Sequence, residues 1–218
     1  MKWNNNIEVF NEDCMKTMSR YEDNYFDLAV VDPPYGIGIN TNIGRRKGDK
    51  KSKYHEFAGK DSSIPDEKYF KELFRVSKNQ IIWGGNYMTD FLKPSPCWLL
   101  WDKGFSENVT FAQYEMAWTS FTSSAKKYDF NAAANRNRIH PTEKPSKLYE
   151  WTYKKYAKKG DKILDTHFGS GSNAIGLNTI NKIEKMELSL VAAELDKEYY
   201  DKSKKRFDNK TKWISIFD

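Results

Sequence analysis

The sequence predicts an α/β fold, a doubly wound and mostly parallel sheet with helices on both faces. Two observations carry that expectation. Short apolar runs alternate along the chain with segments of helical periodicity. Several of those runs also end directly in an acidic residue or a glycine turn, at Asp32, Gly84, Asp102, Asp165 and Glu194. In open α/β sheets ligands bind outside the carboxyl ends of the strands, so these residues are expected along one edge.

The elements follow in order. Asp27 to Val31 reads as a buried strand, rich in Leu, Ala and Val and halted at Asp32. Asp66 to Val76 places Tyr69, Phe70, Leu73, Phe74 and Val76 at helical spacing. Gln80 to Trp83 is a second strand, closed by Gly84 and Gly85. Trp98 to Trp101 is a third, and Tyr114 to Ser120 alternates as expected of an edge strand. Lys147 to Ala157 is helical, with Leu148, Trp151, Tyr153 and Tyr156 as its apolar positions. Lys162 to Leu164 is a strand ending at Asp165, and Ser172 opens a helix to Asn181 with a good N-cap residue type. Leu188 to Ala193 is the last strand, ending at Glu194.

Two stretches break this rhythm. Residues 40–63 are polar and basic, with Arg45, Arg46, Lys47, Lys50, Lys51 and Lys53. Residues 122–138 are polar, with Lys126, Lys127, Arg136 and Arg138. Long loops in a compact domain are usually functional or disordered. Arg45, Arg46, Lys47, Lys50, Lys51, Lys53, Arg136 and Arg138 are the candidate phosphate contacts. A merely solvated charged surface is the plain alternative.

The 218 residues suit one domain, 1–218, large enough for its own core. The chain carries 36 Lys+Arg against 30 Asp+Glu, a net charge of +6 that is compatible with a polyanionic partner. Cys14 and Cys97 form no CxxC pair, and Cys/His spacing offers no zinc site. A reducing cytoplasm is expected. The first residues lack the apolar stretch of a signal peptide, and no run approaches the roughly 20 apolar residues of a membrane span.

Asp32-Pro33-Pro34-Tyr35 follows the first buried strand. The prolines stiffen the backbone and remove two N–H donors, leaving carbonyls as acceptors beside the Asp32 carboxylate. Tyr35 adds a flat aromatic face. Two acceptors and a ring suit a planar base with an exocyclic NH2. That nitrogen is a poor nucleophile until its two N–H groups are accepted, and positioning it before an electrophilic methyl supplies much of the rate. Such a base must leave the duplex, a cost that stacking offsets. The same tetrapeptide could instead be a Pro-Pro turn with Asp as a cap.

Asp165-Thr166-His167-Phe168-Gly169-Ser170-Gly171-Ser172 joins a strand to a helix. Its glycines permit a tight turn and close approach of a ligand. Gly169, Gly171 and Ala174 also fit the dinucleotide fingerprint G-x-G-x-x-A, with Glu194 about twenty residues on, so an NAD-binding oxidoreductase competes. Phe168 offers an aromatic face that tolerates a sulfonium cation, and Glu194 can accept from two ribose hydroxyls.

Together these motifs resemble the amino-methyltransferases of DNA restriction–modification systems and phages. Asp32-Pro33-Pro34-Tyr35, Phe168-Gly169-Ser170-Gly171 and His140-Pro141-Thr142-Glu143-Lys144-Pro145 carry the resemblance, in the family's permuted β order. It implies a Rossmann-like class I methyltransferase fold, S-adenosyl-L-methionine as cofactor and double-stranded DNA as partner. It implies transfer to adenine N6, with cytosine N4 as the nearest alternative; Asp rather than Ser at the head of the motif favours adenine. A homodimer and a cognate restriction endonuclease are further partners it would accommodate. Asp13 would reach the cofactor adenine, Asp165 would orient the methionine part, and Thr142, Lys144 and Pro145 would wall the pocket. Asp32, His167, Phe168, Gly169, Ser170, Gly171, Ser172 and Glu194 complete the expected cofactor set. Trp83-Gly84-Gly85-Asn86 resembles a turn near the target pocket. His167 departs from the family's usual proline, and the chain is short for a separate target-recognition domain.

Overall fold

The computed structural model describes residues 1–38, 61–105, 112–132 and 138–212. Most of the basic stretch, with Arg45, Arg46, Lys47, Lys50, Lys51 and Lys53, and also Arg136, lies outside the described residues.

The strands are β1 (Ile7–Phe10), β2 (Phe26–Val31), β3 (Ser77–Trp83), β4 (Trp98–Asp102), β5 (Tyr114–Thr119), β6 (Lys126–Asp129), β7 (Lys162–Asp165) and β8 (Ser189–Ala193). The helices are α1 (Cys14–Met18), α2 (Glu67–Val76), α3 (Ser146–Tyr156), α4 (Ser172–Glu184) and α5 (Lys197–Lys212). The strands form one sheet in the order β1-β8-β7-β2-β3-β5-β4-β6. β5 runs antiparallel to both of its neighbours, β3 and β4, while every other pairing is parallel.

Strand periodicity explains the layering. Successive side chains of a strand point to opposite faces. Leu28 and Val30 join Ile81, Trp83, Ile163 and the apolar sides of α3, α4 and α5 in one core. Ala29 and Val31 join Ile82, Leu164 and the Tyr69, Phe70, Leu73 side of α2 in the other. Both faces of the central strands are therefore covered, which is why those strands read as unbroken apolar runs.

Two expectations need correction. Tyr114 to Ser120 is not an edge strand: β5 lies between β3 and β4. The edge on that side is β6, inside the stretch 122–138 that the sequence presents as a loop. β6 reads Lys-Lys-Tyr-Asp and is mostly exposed, so no apolar run marks it. β1, α1 and α5 were likewise unassigned from the sequence.

The topology fixes the site. From β2 the chain builds outward through β3 on one side, and from β7 through β8 on the other. β2 and β7 pair directly, with Ala29 opposite Leu164. Asp32 and Asp165 thus meet at the switch point, where a crevice opens beyond the strand ends. Among the described residues no helix is long and apolar enough to cross a membrane.

Candidate active site

A cavity of about 210 Å³ opens at that switch point. Asp32, Pro33, Pro34 and Tyr35 from the turn after β2 line it, facing His167, Phe168, Gly169 and Ser170 from the turn after β7. Asp13, Thr142, Lys144 and Glu194 complete the expected lining residues. Pro145, Asp165, Gly171 and Ser172 were also expected there, but the structure sets them behind the wall. Asp165 is turned into α4: its carboxylate accepts from the Asn173 side chain at 2.9 Å and the His167 N–H at 3.1 Å. Tyr153 donates in turn to Asn173. Gly171 (φ 73°) is the N-cap of α4, a left-handed position that suits glycine. Ser172 holds Arg206 at 2.9 Å, and Pro145 precedes α3 as its N-cap.

The Asp32 turn is tightly tied. Tyr35 Oη donates to Asp32 Oδ1 at 2.7 Å, and Lys144 Nζ to Asp32 Oδ2 at 2.6 Å and to Tyr35 Oη at 2.9 Å. Lys144 also lies 3.0 Å from Glu115 Oε2, and Lys103 lies 2.6 Å from Glu115 Oε1. The Lys144 side chain is only 2% exposed. From below, the Asp61 carboxylate accepts the Tyr35 and Gly36 N–H groups at 2.7 and 3.0 Å. The Tyr35 ring packs on Gly84 and lies parallel to Tyr87 at 5.3 Å. The paired glycines serve opposite neighbours, because a Cβ on Gly85 would come within 2.5 Å of Trp118 Cβ. The turn Trp83-Gly84-Gly85-Asn86 is therefore a packing device built around Tyr35.

Burial pushes the Asp32 carboxyl up, against the pull of the Lys144 ammonium. Burial opposes the charge on Lys144 too, yet Asp32 and Glu115 together hold its pKa above the ordinary value. Burial would also raise Glu115, but Lys144 and Lys103 hold it down at about 2. The Tyr35 phenol is raised by burial and by the Asp32 charge.

The other side of the cavity is carboxylate-rich. Glu194 accepts the Gly169 N–H at 2.6 Å and the Asp196 N–H at 2.9 Å. Burial pushes it up to about 7, and Asp165 likewise to about 7. Burial brings His167 down to about 4, so its imidazole is neutral; Nδ1 lies 2.9 Å from Thr166 Oγ1. Asp13 caps α1, accepting from the Met15 N–H at 2.7 Å. Among the described residues no group of three His, Cys, Asp or Glu side chains is placed to hold a metal.

Sequence reasoning missed several parts. Arg206 on α5 reaches Glu143 at 2.8 Å and the Ser170 carbonyl at 2.9 Å, stapling the segment before α3 to the glycine turn. Asp61, Lys103 and Glu115 carried no local signal. Arg138 donates to the Ala132 carbonyl at 2.6 Å, an internal contact rather than a bare surface charge.

Comparison with known proteins agrees with this geometry. Residues 102–205 match a family model described as DNA methylase. The chain is 25% identical to the Type II methyltransferase M.HpaI of Haemophilus parainfluenzae, over 90% of this chain and 72% of that protein. The resemblance to the DNA amino-methyltransferases holds. Two solved structures share the fold. The M1.HpyAVI–SAM complex superposes with a TM-score of 0.58 at 15% identity, over 92% of this chain and 99% of that one. The PvuII DNA methyltransferase, cytosine-N4-specific, gives 0.60 at 10% identity, over 97% and 93%. The fold is thus that of the class I methyltransferases. The Asp32 turn and the glycine turn stand on opposite walls of one cavity.

Proposed function

We propose that the chain transfers a methyl group from S-adenosyl-L-methionine to the exocyclic amino group of a flipped base in double-stranded DNA, N6 of adenine in the first instance. The observation that carries this reading is the shared cavity: the Asp32-Pro33-Pro34-Tyr35 acceptors open into the same space as Gly169 and Glu194. We read residues 1–218 as one methyltransferase domain. A homodimer and a cognate endonuclease are the further partners suggested by the resemblance.

The cavity suits the cofactor. A Cβ on Gly169 would meet nothing nearer than His140 Cδ2 at 4.0 Å, so the turn leaves open space on the cavity side. Glu194 and Asp13 would accept from ribose hydroxyls and the adenine amino group, with Phe168 as the apolar wall. When bound, S-adenosyl-L-methionine supplies an electrophilic methyl on a sulfonium sulfur. The residues of the chain do the rest. The Asp32 carboxylate accepts one amino N–H and the Pro33 carbonyl the other, which returns electron density to the nitrogen and aims it. Tyr35 fixes the Asp32 rotamer through Oη and offers ring surface to the base.

The test is transfer of a tritiated methyl to DNA, followed by nucleoside analysis. Label in N6-methyladenine is expected; label in N4-methylcytosine would move the assignment to the second amino group. Label found only in protein or RNA would overturn the substrate. The competing NAD reading predicts thermal stabilisation by NAD and not by S-adenosyl-L-methionine, the reverse of what is expected here.

A further inference from the structure

The ammonium of Lys144 does more than wall a cavity. Its three nearest oxygens are Asp32 Oδ2 at 2.6 Å, Tyr35 Oη at 2.9 Å and Glu115 Oε2 at 3.0 Å. Lys103, 2.6 Å from the other Glu115 oxygen, extends the row. Cation and anion alternate from Lys103 through Glu115 and Lys144 to Asp32, and the four charges cancel. Lys144 is buried and the other three are half-buried, so holding this array largely out of water is costly, and replacing such an array with apolar side chains is often neutral or stabilising. Stability is therefore a poor reason for its presence beside the Asp32 turn.

Chemistry supplies a better one. Asp32 already accepts from Tyr35 on Oδ1 and from Lys144 on Oδ2, so taking an amino N–H as well requires both oxygens to stay acceptors, which only the anion allows; protonated, one oxygen becomes a donor. Burial favours the protonated form. The groups facing Asp32 give little help. Tyr35 from its own turn, Tyr69 from α2 and Tyr149 from α3 are phenols that burial keeps neutral. Asp165 from β7 and Glu115 from β5 act against its charge. Among the described residues Lys144 is the cation that Asp32 contacts.

We propose that Lys144 is a positioning residue that keeps Asp32 an anion, and that Glu115, by sharing the Lys144 ammonium, sets how strongly Asp32 is held. The inference rests on the amino-methylation reading, since only a reaction that needs an acceptor at Asp32 gives its charge a purpose. Glu115 lines no part of the cavity; it acts on Asp32 from outside, by its own charge and by sharing the Lys144 ammonium.

The experiment is a carbon-13 carboxyl titration of aspartate-labelled protein, with D32N assigning the Asp32 signal, paired with methyl transfer to DNA. In K144M the Asp32 midpoint should rise by about one to three pH units, the usual effect of losing an adjacent opposite charge. In E115Q it should fall, and in the double variant it should lie between. Transfer by K144M should drop at least about tenfold at neutral pH and recover as the pH is raised. A merely structural lysine would give neither the opposed shifts nor the recovery. Should K144M fail to fold, the same titration of K144Q decides the matter, an Asp32 midpoint that does not rise overturning the inference. Asp32 titrating alike in every folded variant of a chain that does methylate DNA overturns this inference only. A wild-type chain that transfers no methyl to any DNA overturns the proposed function and this inference together.

Discussion

Gly84→Ala tests how the Asp32 turn is assembled. Gly84 sits at φ 71°, and an added Cβ would overlap the Tyr35 ring, leaving even Cζ only 2.7 Å away. Holding alanine in the left-handed region costs about 1–2 kcal/mol. The Tyr35 ring must also move, and its hydroxyl then leaves Asp32 Oδ1, which it now meets at 2.7 Å. A hydrogen bond to a charged group is worth about 1.5–3 kcal/mol. The two terms give a loss of roughly 2.5–5 kcal/mol, shared between stability and the geometry of Asp32. Urea unfolding should show a lower midpoint at unchanged slope. Steady-state transfer should show a kcat at least about tenfold lower, the equivalent of about 1.4 kcal/mol. Cofactor affinity should fall by less than kcat in calorimetry, because the displaced Tyr35 lines the cavity but the Gly169 and Glu194 wall stays in place. An alanine variant with wild-type midpoint and wild-type kcat would show that Tyr35 is not seated on Gly84, and would remove the rationale for this turn.

Other perturbations probe the same walls. Glu194 is raised to about 7, so cofactor affinity should increase as the pH passes from 6 to 8 with a break near 7, and E194Q should lose both the affinity and the break; a flat wild-type profile would count against a ribose-binding carboxylate. The same shift has a sign in folding. A carboxyl raised in the native state stabilises fully below its unfolded range near 4.5, and that contribution is lost as the pH rises through about 7, so the ligand-free chain should unfold more easily at pH 8 than at pH 5 by this term. Arg206→Met removes the ion pair to the Glu143 side chain, which is 1% exposed, and should cost about 3–5 kcal/mol in denaturant; a cost below about 1 kcal/mol would refute the staple. Asp32→Ala should abolish turnover while largely sparing cofactor affinity in calorimetry, and an active variant would remove Asp32 from the mechanism.

The sequence by itself determined the central strands and the two turns that frame the cavity. β2, β3, β7 and β8 were legible because strands covered on both faces must be apolar at nearly every position, and because each stops abruptly at Asp32, Gly84, Asp165 or Glu194. The Asp32 and glycine turns were legible because prolines and left-handed glycines leave a local signature. Tertiary structure decided the rest. β6 is an exposed edge with no apolar requirement, and β5 alternates yet is interior, since strand order is set by partners distant in the chain. Asp165 reads as a cavity residue, but the packing of α4 against β7 turns it to Asn173. Glu115 and Lys103 are ordinary charges in sequence, and Lys144 stands out there only as a pocket residue implied by the resemblance. Only the pairing of β5 with β4, and the return of the chain to β7 beside β2, brings them into one row behind Asp32, because ionic contact depends on distance in space and leaves no local pattern to read.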